Sequence, residues 1–406
     1  GGTHGNEFNG VWCVKRWRLQ GACDADGDGD GDDSTMPNFA QRYPSLEVST
    51  LIGNPAAYKQ NLRFLDLDLN RMFTAQNLAT PVNEAADDVQ AYEANRARAI
   101  AASLGPKGAE APACDFVIDL HTTTSNMGVT IIVDQWCQEG LEAAAYAVDK
   151  LNSMALTEEP SGERWSTRRP NPVDAQEHVA RMLVMEVTDR DASPFLSSIG
   201  RGGLQIEVGP TPQGVIRTDV IESMTLAVGL VLEYFEKRNT TPDLRLADSI
   251  VEAFLYDHEG KIKWPVRSPY TLNPNPNPNP NPYPRPHASP SRDPNPNHSP
   301  SPNPNPKVDE DGRPAAVTHW SLQGKDYEHL PAGAPVFEHL NGSVIKYEPK
   351  AGQNVKLLPE LFVGEDDPMA FYPVFINEGA YYSPKSGLGI GVTRKIKIRV
   401  QQPTEG

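Results

Sequence analysis

The 406-residue chain has room for roughly two to three domains with sizeable cores. Its formal charge of −16 argues against a nucleic-acid partner, which calls for a basic face toward phosphates. No apolar run reaches membrane-spanning length, the most apolar being Leu226 to Leu232 inside an amphipathic pattern.

The chain opens Gly1-Gly2-Thr3-His4-Gly5-Asn6-Glu7, an imidazole and a carboxylate close together among small residues that let backbone bend tightly. Such a pair suits a metal ion, but a His-x-x-Glu pattern also arises by chance and needs a third ligand. Gly10 to Leu19 reads as a helix packed by one face. An Asp/Gly run follows at 23–33 and reads as a solvated loop insertion. It imitates the first half of a calcium-binding EF-hand loop, yet Thr35 stands where a bidentate Glu is required. Cys13, Cys23, Cys114 and Cys137 lack C-x-x-C spacing and are too sparse for a disulfide framework, so a reduced, cytoplasmic setting is expected. The numbering begins without Met or a signal-like segment, as a fragment of a longer chain would.

Leu46 to Ile52 reads as a strand closed by Asn54-Pro55. Arg63 to Arg71 alternates acidic and apolar residues, a strand edge entering a loop, and offers two guanidinium groups suited to carboxylates. Glu84 to Leu104 reads as a partly buried helix, with the Arg96 stem lying along its apolar face. Phe116 to Leu120 is a buried strand that delivers His121 to its carboxyl end, where sites form in open α/β sheets. His121 is either structural or the third ligand, and Asp119 could orient its ring.

Gly128 to Val133 and Met182 to Val187 read as strands, Glu139 to Leu151 as a helix, and Thr157 to Val173 as a loop. Gly202 to Pro210 carries Glu207 between Ile206 and Val208. It is either a solvated strand carboxylate or, buried near a metal, a proton carrier. Asp219 to Lys237 is the clearest helix, starting with an Asp219-x-x-Glu222 signal. A domain boundary is expected near Asn239, giving a catalytic domain over 1–238 and a β-rich domain over 239–406, with short strands at 315–319, 335–340, 343–347, 372–376 and 395–400. The Asn-Pro repeats at 273–305 have almost nothing to bury and are expected to form a disordered insertion.

Taken together, His4, Glu7 and His121 form a known ligand set for one catalytic zinc ion. Glu207 would carry the proton of its water, and Arg63 would help stabilise the oxyanion.

The chain resembles the aspartoacylase family of zinc N-acyl amino acid hydrolases, relatives of the zinc carboxypeptidases. Five stretches carry the resemblance, at Gly1 to Glu7, Asp68 to Arg71, Asp119 to Gly128, Ile206 to Gly214 and Asn377 to Tyr382. It implies an α/β fold, a zinc carboxypeptidase-like domain with a central mixed sheet flanked by helices, capped by a smaller C-terminal β-rich domain. It also implies zinc ligands His4, Glu7 and His121, general acid/base Glu207, and Arg63 on the scissile carbonyl. Asn70, Arg71 and Tyr381 would hold the substrate carboxylate, and Lys385 stands where the family has another positive group. The expected partner is a small N-acylated amino acid, with no nucleic acid and no membrane, and homo-oligomerisation is left open.

Two departures bear on this. Ser197 stands where aspartoacylase has the Arg that grips the aspartate side chain, leaving Arg201 as a substitute or the pocket suited to uncharged side chains, as in the aromatic-specific branch. The family's usual first strand is absent before Gly1. A zinc carboxypeptidase and a non-catalytic zinc-binding scaffold remain as alternatives.

Overall fold

The computed structural model describes residues 1–25, 39–79, 92–156, 180–241, 244–258, 260–265, 314–349, 358–382 and 388–403. The Asn-Pro segment, the 157–173 loop, most of the Asp/Gly run and Lys385 lie outside the described residues.

The first half supplies helices α1 (Phe8–Ala25), α2 (Phe39–Arg42), α3 (Pro55–Gln60), α4 (Ala75–Ala79) and α5 (Tyr92–Leu104). Strands β1 (Phe116–Thr122) and β2 (Gly128–Asp134), helix α6 (Gln138–Leu156), strands β3 (Ala180–Met185) and β4 (Gly202–Gly209) and helix α7 (Thr218–Thr240) follow. Beyond these come β5 (Leu246–Tyr256), β6 (Ile262–Lys263), β7 (Ala316–Thr318), β8 (Pro335–His339), β9 (Val344–Lys346), β10 (Phe362–Glu365), β11 (Tyr372–Val374) and β12 (Leu388–Pro403).

The central sheet runs β1-β4-β2-β3-β5-β12-β10, with β6 and β11 also pairing with β12. It is mixed: β1 and β4 are parallel, β4 and β2 antiparallel, and β2, β3 and β5 parallel. The buried apolar runs of β2 and β4 reflect cover on both faces. Helices α6 and α7 bury one face through Leu141, Met224, Val231 and Tyr234. Leu69, Phe73, Ala97, Ile100 and Ile199 pack with Val117 in a separate cluster. The sheet continues past residue 239, because β5 pairs with β3 and the long β12 pairs with β5. β7, β8 and β9 form a separate three-stranded sheet with its own core of Trp264, Phe337 and Phe371. No described helix is long and apolar enough to cross a membrane.

Several elements differ from the sequence expectation. Helix α1 runs on to Ala25, taking in the first residues of the Asp/Gly run. Residues 46–52 form no strand: the carbonyls of Thr50 and Ile52 go to side chains, and that of Leu51 accepts from the Gly1 amino group (3.1 Å). Arg18 Nη2 donates to Thr50 O (2.9 Å), and Arg96 donates from Nη2 to Ile52 O (2.9 Å) and from Nε to Gly53 O (2.7 Å). The Arg96 head is thus a backbone clamp. Helix α7 starts at Thr218, and Asp219 pairs with the Arg217 guanidinium, so the expected capping box is not formed.

The Arg63 to Arg71 segment is irregular and is held by one carboxylate. Glu93, fully buried on α5, accepts N–H bonds from Leu65 (2.7 Å), Asp66 (3.0 Å) and Leu67 (3.1 Å), and from Asn54 Nδ2 (3.0 Å). Asn54 in turn donates its backbone N–H to Gly2 O (2.8 Å), tying the opening turn to the same anchor. Burial penalises this carboxylate, and its four donors more than reverse that, keeping its pKa low. Replacing Glu93 with Ala would strand these buried donors, with an expected loss of about 2–4 kcal/mol. Urea denaturation checks this: an unchanged midpoint would mean that the segment is anchored elsewhere.

Candidate metal centre and active site

The opening turn packs between α3 and the Arg63 segment. A Cβ at Gly5 would lie 2.3 Å from the backbone of Ala57 and Tyr58, so only glycine permits this approach. Gly2 has φ +72, with Val11 against the place a Cβ would take. Gly5 N donates to Arg63 O (3.0 Å), and Gly214 N to Asn6 O (2.8 Å). The turn therefore rests on both segments that carry other site residues.

From β1, His121 reaches the same point. His4, Glu7 and His121 are 4%, 3% and 2% exposed, so three titratable groups share a nearly dry space. Their potential ligand atoms all lie within 4.8 Å of one another. Nδ1 of His4 is 2.6 Å from Glu7 Oε1, Nδ1 of His121 is 2.9 Å from Glu7 Oε2, and the two Nδ1 atoms are 3.2 Å apart. On the far side of each ring stands another carboxylate: Asp68 Oδ1 lies 2.9 Å from His4 Nε2, and Asp119 Oδ2 lies 2.8 Å from His121 Nε2. A carboxylate at Nε2 fixes the tautomer that presents the Nδ1 lone pair, the arrangement of a metal-binding histidine. Two imidazole nitrogens and a carboxylate facing one another suit a divalent cation, and the donor set fits it.

The electrostatics agree. Burial raises the Glu7 carboxyl, but the adjacent His4 and His121 more than reverse this and hold it far below the usual range. Burial lowers His121, and Asp119 and Glu7 outweigh it, so the ring is strongly cation-stabilised. A proton or a metal ion satisfies the same demand.

Glu207 is the register partner of His121 on β4, so the two side chains project from one face of adjacent parallel strands. It is half-buried, and among the described residues no donor hydrogen-bonds its carboxylate. Burial, then Glu7 and Glu378, raise its pKa well above the ordinary glutamate value, against the pull of His121 and Arg63. Arg63 lies 3.3 Å from Glu7 Oε1 and 3.5 Å from Asp68 Oδ2.

The other expected residues are distributed unevenly. Asn70 is buried with both ends of its amide bonded in the protein, Nδ2 to Gln205 Oε1 (2.9 Å) and Oδ1 to Leu196 N (2.9 Å). Arg71 is exposed, its guanidinium 5.3 Å from the centre of the Phe195 ring. Tyr381 follows the left-handed residues Phe375 (φ 56) and Asn377 (φ 58). Its hydroxyl pairs with that of Tyr256. Arg201 does not reach the site: it precedes β4, roughly 20 Å of strand from Glu207, and faces Asp115 and Glu139 (3.7 Å each). Ser197 is buried.

Four residues were not singled out from sequence. Asp68 lay in the acidic–apolar alternation and Gln205 two positions before Glu207 on the same strand face, signals that period-two reading offers. Glu378 stands inside the Asn377 to Tyr382 stretch; its carboxylate binds Thr123 Oγ1 and Thr124 N (3.1 Å), fastening the C-terminal segment to the loop after His121. Asp326 does likewise, accepting from Asn126 N (3.1 Å) and Ile376 N (3.0 Å).

Residues 36–235 match the succinylglutamate desuccinylase/aspartoacylase catalytic domain. An N-acyl-aromatic-L-amino acid amidohydrolase (carboxylate-forming) of Xenopus tropicalis is 30% identical over 385 residues, covering 95% of this chain and 88% of that protein. A probable aspartoacylase of Trichodesmium erythraeum is 29% identical over 402 residues, covering 98% and 97%. The crystal structure of murine aminoacylase 3 superposes with a TM-score of 0.66 at 25% identity, covering 100% of this chain and 96% of that one. With a mixed sheet of this topology, a His-Glu-His centre at its edge and full-length relatives of this kind, the chain belongs to the succinylglutamate desuccinylase/aspartoacylase family.

Proposed function

We propose that the protein is a zinc-dependent amidohydrolase that cleaves N-acyl-L-amino acids to a carboxylate and a free amino acid. The observation that carries this is the convergence of His4, Glu7 and His121, each imidazole backed by a carboxylate, beside Glu207, which accepts no hydrogen bond among the described residues. A zinc ion held by these three residues would act as a Lewis acid and bring the pKa of its water to about 7.

The protein's own groups divide the remaining work. Glu207, with its raised pKa, accepts the proton of the attacking water and delivers it to the leaving amine nitrogen. Arg63, kept charged by Asp68 and Glu7, donates to the oxygen on which negative charge develops. Arg71 and Tyr381, with Asn70 fixing the loop between them and Ser197, receive the substrate carboxylate. The substrate side chain then falls toward Ser197 and Phe195, where the nearby described guanidinium groups are engaged: Arg71 on the first carboxylate, and Arg190 on the carbonyls of Ser198, Ala109 and Ile199.

Replacing Glu207 with Gln should lower kcat by about 10²–10⁴ while about one zinc per chain is retained; full activity in the zinc-loaded variant would refute the assignment. Glu378 raises the Glu207 pKa by its charge. As general base Glu207 must be ionised, so activity is lost as pH falls through its pKa. Glu378→Gln should therefore move the acid limb of kcat/KM to lower pH, and an upward shift would contradict the reading. Finally, N-acetyl-L-phenylalanine should exceed N-acetyl-L-aspartate in kcat/KM by roughly tenfold or more. The reverse order in a direct comparison would place a positive group in the pocket.

A further inference from the structure

Between β6 and the β8–β9 hairpin lies a cleft of about 300 Å³, formed by the C-terminal strands. Its apolar lining includes Phe337, Tyr347 and Phe371, all buried. Lys261 and Lys263 approach it from one side and Lys346 from the other, with Glu348 the one carboxylate among the described lining residues. Lys263 and Lys346 are exposed, and among the described residues none of the three lysines forms an ion pair. Among the described lining residues three ammonium groups thus stand against one carboxylate, an excess of positive charge over an apolar floor in a protein of net charge −16.

We propose that this cleft is a binding site for a small organic anion with an aromatic body, an aryl carboxylate in the simplest case. The volume is at the lower end of the range for small-molecule pockets, roughly 300–1,000 Å³, and suits a single ring with a short acidic arm. The ring packs against the apolar lining, where Ile262, Pro265 and Ile345 are only half-buried, and the carboxylate meets the lysines at the rim. A cation has no counterpart here beyond Glu348, and an uncharged apolar molecule leaves the lysines unused. Phe337 cannot retreat, since its ring already closes on Gly389, where a Cβ would lie 2.5 Å from Cζ.

The site has a built-in reporter. The buried Trp264 ring lies 4.8 Å from Phe337 and 5.1 Å from Tyr382, and its Nε1 donates to Tyr381 O (2.8 Å). Occupancy of the cleft is therefore sensed by one indole, which also touches the backbone of a residue assigned above to the substrate carboxylate.

The test is titration of the full, zinc-loaded chain with phenylacetate, following the Trp264 indole N–H by NMR, its resonance assigned from Trp264→Phe. A saturable shift is expected in the unsubstituted protein. In a Lys263→Glu/Lys346→Glu protein the affinity should fall by about tenfold or more, while hydrolysis of N-acetyl-L-phenylalanine is unchanged. These lysines are exposed strand residues, and the unchanged hydrolysis also shows that the variant folds. An indole that does not move overturns the proposal. So does a shift of equal affinity in the charge-reversed protein, which would place the phenylacetate in the catalytic cleft. Because hydrolysis is measured separately, loss of the cleft leaves the deacylase reading intact.

Discussion

The structure depends on a concentration of negative charge that the fold buries at one edge of its sheet. Glu7, Asp68 and Asp119 surround the imidazoles of His4 and His121, and the guanidinium of Arg63 contacts two of the three carboxylates. With both rings neutral, the three carboxylates of this cluster outnumber the cations beside them, so the cluster is net negative. Each buried ion costs several kcal/mol in desolvation, whereas a pair of opposite charges about 4 Å apart recovers roughly 4 kcal/mol at an effective dielectric of 20. A divalent cation balances these charges while leaving the rings neutral. The acidic surroundings that make the cluster costly without a cation thus favour the metal.

What delivers these groups to one place is strand register more than sequence proximity. β1 and β4 are parallel neighbours in which Asp119 pairs with Gln205 and His121 with Glu207. Because side chains alternate faces, both pairs project on the same side. The inner pair orients: Asp119 holds the His121 ring, and Gln205 holds Asn70. The outer pair, His121 and Glu207, stands at the His-Glu-His cluster. A slip of one residue would turn both layers away together, which makes the buried core of β2 and β4 a condition of catalysis as well as stability.

Much of this was legible in the sequence. His4 and Glu7 in a glycine turn, His121 at the end of an apolar strand and Glu207 between apolar neighbours are local patterns, and local patterns report which face and which end a side chain occupies. The main sheet and its helices were readable because their apolar periodicity is strong. Leu46 to Ile52 misled because β-branched composition measures suitability for a pleated surface, not the availability of a partner strand; Arg18 and Arg96 occupy the carbonyls instead. Glu93 had no local signature, since its meaning lies in donors 26 to 39 residues earlier in the chain. β5 was missed because its exposed first half looks polar and only its pairing with β12 makes it a strand.

The C-terminal segment explains why such a centre would act on small molecules. Two carboxylates join it to the loop after His121. Glu378 fastens to Thr123 and Thr124, and Asp326 joins Asn126 to Ile376. Both contacts fall within five residues of His121, so the chain that carries Tyr381 is fastened to the loop that leaves the His-Glu-His cluster. Thr124 adds a hydroxyl that donates to Asn377 O (2.7 Å) and accepts from Gly379 N (2.7 Å). These bonds tie the turns at Asp326 and at 376–379 to the loop after His121. On the proposed reading, a cover fixed in this way would limit substrate length, and the choice among short acyl amino acids would pass to the residues near Ser197 and Phe195.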